Sequence, residues 1–78
     1  MISPEQSRGA RAMLGWSQEE LSAAAGVAKQ TLTDFERGAR APYQRTLRDI
    51  KEALEAAGIE FIDENGGGPG VRLRKEDG

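Results

Sequence analysis

Apolar residues along this chain follow two different periods. Up to Ala57 they recur at every third or fourth position, the repeat of helices buried on one face; after Gly58 they alternate, the repeat of a strand. Glycines divide the helical part. Ala10, Met13 and Leu14 form the stripe of a first helix that opens at Ser3-Pro4-Glu5-Gln6. Ser3 suits its N-cap, Pro4 its first helical position, and Glu5 and Gln6 its first turn. Gly9 inside this helix costs about 0.5–1 kcal/mol relative to Ala, so it marks either close packing or tolerated slack. Gly15 ends the helix, glycine being the residue that accepts positive φ.

Ser17-Gln18-Glu19-Glu20 reads as a capping box, with Ser17 as N-cap and Glu20 reaching back to a free backbone N–H. The second helix carries Leu21, Ala24 and Ala25 and closes at Gly26. Val27 is the apolar residue of the turn. A third helix runs from about Lys29 to Arg37, with Leu32 and Phe35 inward and Lys29, Gln30, Thr33, Asp34 and Arg37 outward; Gly38 terminates it. After a basic loop, Ala39 to Arg45, Thr46 is expected to cap a fourth helix with Leu47, Ile50, Leu54 and Ala57 on one face. Ile59 to Ile62 and Val71 to Arg74 then predict two strands of opposite charge, joined by a turn-forming loop from Asp63 to Gly70. A lone two-stranded hairpin is marginal, so it must pack on the helices or pair with another chain. A dimer contact is the favoured expectation, and packing on its own domain the alternative.

The prediction is therefore a mainly α fold: a helical domain over residues 1–58 and a short C-terminal β-hairpin over 59–78, a dimerisation element. Two short helices around a glycine turn, the second with polar side chains projecting from it, have the layout of a helix-turn-helix.

Composition narrows the chemistry. With 78 residues there is one small core, for which oligomerisation is a natural source of added stability. There is no cysteine and no histidine. Disulfides, thiol nucleophiles, the commonest general base and the commonest metal ligands are all excluded. No catalytic pair, phosphate loop or metal cluster is legible, so no enzymatic activity, cofactor or metal is expected. The run from Gly66 to Gly70 leads into a strand and not a helix, which is the wrong context for a nucleotide loop. No apolar run approaches the roughly 20 residues that span a membrane, and no signal peptide is seen. A cytoplasmic, nucleoid-associated protein without membrane contact is expected.

A net charge of −2 looks wrong for a nucleic-acid partner until it is divided by segment. From Lys29 to Lys51 six bases (Lys29, Arg37, Arg40, Arg45, Arg48, Lys51) face three acids (Asp34, Glu36, Asp49). From Glu52 to Glu64 there are five acids (Glu52, Glu55, Glu60, Asp63, Glu64) and no base. Screening confines attraction to about 10 Å at 0.1 M salt, so the local basic patch outweighs the total.

At Ser17-Gln18-Glu19-Glu20-Leu21, Ala25-Gly26-Val27, Thr31-Leu32, Phe35-Glu36-Arg37-Gly38, Pro42 and Thr46-Leu47, the chain resembles the lambda-repressor/Cro-like helix-turn-helix family, also called XRE-family bacterial transcriptional regulators. The resemblance covers about residues 4 to 58, and the tail is similar to the ending of small bacterial members. It implies a four- to five-helix DNA-binding domain, double-stranded DNA as partner and a homodimer. The implied function is a sequence-specific regulator, a repressor, reading a palindromic operator with the helix 29–37 in the major groove.

The same resemblance implies roles for single residues. Gln18 matches a glutamine that contacts a DNA phosphate and braces the recognition helix; Ser17 either shares that contact or serves only as N-cap. Lys29, Gln30, Thr33 and Asp34 match positions that face base edges. Gln30 suits adenine, and Lys29 suits guanine or a phosphate. Asp34 either accepts from cytosine N4 or pairs with Arg37 or Lys29. Arg37, Arg40 and Arg45 would meet phosphates, or form an ordinary solvated face. Arg11 and Glu36 match a buried ion pair between the first and third helices. Two positions depart from the family. Ala28 stands where Ser or Thr is usual, which removes a cap worth about 1 kcal/mol. Trp16 stands where a smaller aliphatic is common and is expected to cover the core. The alternative function is a protein-interaction module, an antitoxin or transcription adaptor with a toxin-like partner.

Overall fold

In the computed structural model four helices and one hairpin follow each other in chain order; residues 2–63 and 66–74 are described. Glu64 and Asn65 of the expected loop, and residues 75–78 of the C-terminal segment, lie outside the described residues. Helix α1 spans Pro4–Leu14, α2 Gln18–Ala25, α3 Lys29–Glu36 and α4 Gln44–Ala56; strand β1 is Ile59–Ile62 and β2 Gly70–Leu73.

Local chemistry sets most boundaries. Ser3 and Gln6 form a reciprocal capping box on α1: Gln6 N–H donates to Ser3 Oγ at 3.0 Å, and Ser3 N–H to Gln6 Oε1 at 2.9 Å. Ser17 and Glu20 do the same for α2. Both helices end at a glycine with φ of 70°, Gly15 and Gly26, a conformation other residues adopt at a cost. Ala28 leaves α3 without a side-chain cap. The loss of about 1 kcal/mol is outweighed by burying Leu32 and Phe35, each worth about 1.5–3 kcal/mol.

Helix α4 begins earlier than Thr46. Its N-cap is Tyr43, which makes no side-chain hydrogen bond, and Leu47 N–H already donates to Tyr43 O at 3.1 Å. The apolar face of Leu47, Ile50 and Leu54, all buried, holds the helix, so it starts directly after Pro42 without a polar cap. Thr46 occupies its first turn.

One core draws on all four helices and β1, through Ile2, Ala10, Leu21, Leu32, Phe35, Leu47, Ile50, Leu54 and Ile59, and Val71 of β2 packs against it. Trp16 packs against it from the α1–α2 turn, covering it as the sequence suggests. The hairpin is antiparallel with Ile59 opposite Leu73, Glu60 opposite Arg72, Phe61 opposite Val71 and Ile62 opposite Gly70. Opposite residues share a face, so Phe61 and Val71 lie against the helices while Glu60 and Arg72 form an outer ion pair of 2.7 Å. The hairpin rests on its own helices, β2 against α1 and β1 against α4. Gly9 faces this contact: a Cβ there would lie 3.4 Å from Val71 Cγ2, at the edge of ordinary van der Waals distance. Gln6, buried at the start of α1, fastens the hairpin further, its Nε2 donating to Gly70 O at 3.0 Å and to Ile62 O at 3.5 Å.

Candidate nucleic-acid interface

Glu36, at the last position of α3, is the centre from which this region is built. Its carboxylate is 2% exposed and Arg11, from α1, 19%. Arg11 Nη2 and Nε donate to Glu36 Oε1 at 2.7 and 3.1 Å, and Nε also reaches Oε2 at 3.0 Å. Ser7 Oγ donates to Oε2 at 2.6 Å and Gln18 Nε2 to Oε1 at 3.1 Å. Arg8 reaches the Glu36 carbonyl. Burial alone would raise the carboxyl pKa; hydrogen bonds from Arg11, Ser7 and Gln18 and the Arg11 charge outweigh it and hold Glu36 below the usual carboxylate range. The sequence did not point to Ser7 or Arg8 as partners, and no local signal marks them.

Gln18 carries this rigidity to the outer surface. As the first residue of α2 it donates one amide N–H to Glu36, while its Oε1 accepts from Thr33 Oγ1 of α3 at 2.8 Å. An amide has two N–H donors, so one remains for an anion arriving at the α2 N-terminus. The Thr33 hydroxyl is thereby turned toward α2. Ser17 Oγ accepts from Glu20 N–H at 3.1 Å, so its capping role is in place.

Lys29 and Gln30 project from the exposed side of α3, with Thr33 and Asp34 half-buried beside them. They are not idle. Lys29 Nζ donates to Glu19 Oε1 at 3.3 Å, Gln30 Nε2 to Asp34 Oδ1 at 2.9 Å, and Arg37 Nη2 to the same Asp34 oxygen at 3.4 Å. Of the pairings open to Asp34 within the chain, it takes Arg37 and not Lys29. A shallow depression of about 160 Å³ brings Gln30 and Asp34 together with Thr31, Arg40 and Pro42, joining the outer face of α3 to the basic loop. Arg40 and Arg45 are exposed on that loop and at the start of α4. A separate open groove of about 400 Å³ lies along α4, where Arg45, Arg48 and Lys51 line it together with Ile2, Gln44 and Leu47.

A helix pair locked through Gln18, with polar side chains outward on the second helix and arginines at its end, defines a helix-turn-helix protein. The comparison with known families agrees: a helix-turn-helix family model matches residues 8–60, and the chain belongs to this family, of the XRE type that the sequence resembles. It is also 38% identical over 48 residues to a Sinorhizobium fredii protein described as an uncharacterized HTH-type transcriptional regulator, y4dJ. That match spans 62% of each chain.

Proposed function

We propose that this chain is a sequence-specific DNA-binding regulator of transcription, a repressor, that acts as a homodimer on a palindromic operator. The observation that carries the reading is the Gln18 bridge, because it fixes the N-terminus of α2 against α3. A bent or sliding helix pair cannot hold one helix in the major groove while the other meets the backbone. Family membership and the regulator description of the S. fredii relative support the same reading.

In this reading residues 29–37 enter the major groove. Gln30 bonds an adenine edge, Lys29 a guanine edge or a phosphate, and Asp34 a cytosine amino group; Thr33 faces a base edge beside them. Ser17 and Gln18 meet a phosphate at the α2 N-terminus, and Arg37, Arg40 and Arg45 meet phosphates around the end of α3.

Selection of bound fragments from random duplexes, followed by binding measurements, tests it. Gln30→Ala should lose about 1–3 kcal/mol on the selected site and relax preference at one base pair. Arg40→Ala should weaken all sequences alike and reduce the salt slope by about 0.9. Equal losses on selected and random DNA for both variants would refute the assignment of the two residues. Selection that enriches no duplex over random DNA overturns sequence-specific reading itself.

A further inference from the structure

Tyr43 is the most exposed large hydrophobic side chain among the described residues, at 87% against 52% for Leu73. Its ring belongs neither to the core nor to the side chains packed against it. The position would also serve the fold better with another residue type. Tyr43 is the N-cap of α4, with φ of −59° and ψ of 153°, and its side chain makes no capping hydrogen bond. Ser, Thr, Asp or Asn there would satisfy a free N–H of the first turn. A large ring left in water, where a small polar group would cap a helix, is of no use to the domain by itself.

Its surroundings supply a use. Pro42 lines the depression shared with Gln30 and Asp34 of α3, and Gln44 and Arg45 line the groove along α4. Successive Cα atoms lie about 3.8 Å apart, so Tyr43 stands between the two, beside the outer side chains of α3 and between Arg40 and Arg45. We propose that Tyr43 contacts DNA, laying its ring along the sugar–phosphate backbone that flanks the α3 site and donating its hydroxyl to a phosphate oxygen. The inference rests on the DNA reading above. A tyrosine hydroxyl is one of the uncharged donors that bind phosphate. The ring offers a broad contact with only two χ angles to fix. Being neutral, the contact holds the domain on the duplex without releasing a counterion, as Arg40 or Arg45 would.

Two substitutions, read by fluorescence anisotropy over a salt series and by urea unfolding, test it. Tyr43→Phe removes the hydroxyl alone; Tyr43→Ser removes the ring and supplies a cap. Tyr43→Phe should bind the selected operator and a random duplex about fivefold more weakly, the loss of one hydrogen bond. A phosphate contact carries no sequence information, so both duplexes lose alike. The slope of log affinity against log salt should stay as in the wild type, since no phosphate charge is uncovered. Tyr43→Ser should bind about tenfold more weakly, through loss of ring and hydroxyl together. Its folded-to-unfolded ratio should meanwhile rise about fivefold, the gain of an N-cap. A merely structural tyrosine would move binding and stability in the same direction. Undiminished binding by Tyr43→Phe, a shallower salt slope or a loss confined to the operator overturns the contact and leaves the DNA reading standing. So does a Tyr43→Ser protein that is both less stable and weaker in binding. Absence of salt-sensitive binding to any duplex by the wild type overturns both.

Discussion

A carboxylate as enclosed as Glu36 contributes stability only while it is charged and its donors are in place. Its folded pKa lies below the ordinary value, which is about 4.3 for an unfolded glutamate. Its contribution is therefore fully present above that value and is lost as pH falls through the lower folded pKa. Urea unfolding from pH 7 to pH 3 should show stability falling below about pH 5. Glu36→Gln should be less stable at pH 7 and lose less on acidification, since the difference between the two curves isolates this group from the other acids. Parallel curves would show that Glu36 is not the source. At this scale the sequence was legible by complement: with Leu32 and Phe35 inward, Lys29 and Gln30 had to face outward. The Arg11–Glu36 pair was suggested by the family resemblance and not by periodicity, which cannot tell a buried acid at a helix end from an exposed one. The partners of Thr33 and Lys29 depend on how α2 and α3 are placed against each other, and no residue-by-residue pattern encodes that.

Elements were readable wherever their ends are written locally. Ser17 with Glu20, and the glycines at 15 and 26, mark ends within four residues of the groups they satisfy. The start of α4 was not readable, because burial of Leu47, Ile50 and Leu54 decides it and Thr46 offers a competing cap. The same limit hid the attachment of the hairpin. Gln6 reads as an ordinary polar residue of a first turn, but its amide bonds strand carbonyls 56 and 64 residues away. Gln6→Glu separates its two roles. A carboxylate still accepts from Ser3 N–H and preserves the α1 cap, but it brings only acceptors toward Gly70 O and Ile62 O. An unsatisfied buried group costs about 1–3 kcal/mol. Hydrogen exchange by NMR should speed at the amides of β1 and β2 while those in the middle of α1 keep their protection. Uniform loss of protection would mean that the cap, not the hairpin attachment, had failed.

At the scale of the whole molecule, the proposed homodimer needs an element that joins two copies. A single module of this size presents one reading helix, and a palindromic operator calls for two related by a two-fold axis. In the proposed dimer the hairpin would join them. It is already anchored in its own domain through Gln6, Phe61 and Val71, so a second copy would not have to fold it. Its outward Ile62 remains 39% exposed, on the same face as the Glu60–Arg72 pair. A two-fold contact uses each such residue twice. Ile62→Glu should therefore raise the dimer dissociation constant by about tenfold or more, the equivalent of roughly 1.4 kcal/mol, with little change in monomer fold. Sedimentation equilibrium of both proteins measures this directly. Operator affinity should fall with dimerisation, while affinity of the monomer for a half-site should hold within the small effect of one added distant charge. A wild type that stays monomeric at concentrations saturating the operator, or a dimer untouched by the substitution, would remove the hairpin from the assembly and leave each α3 to find its half-site alone.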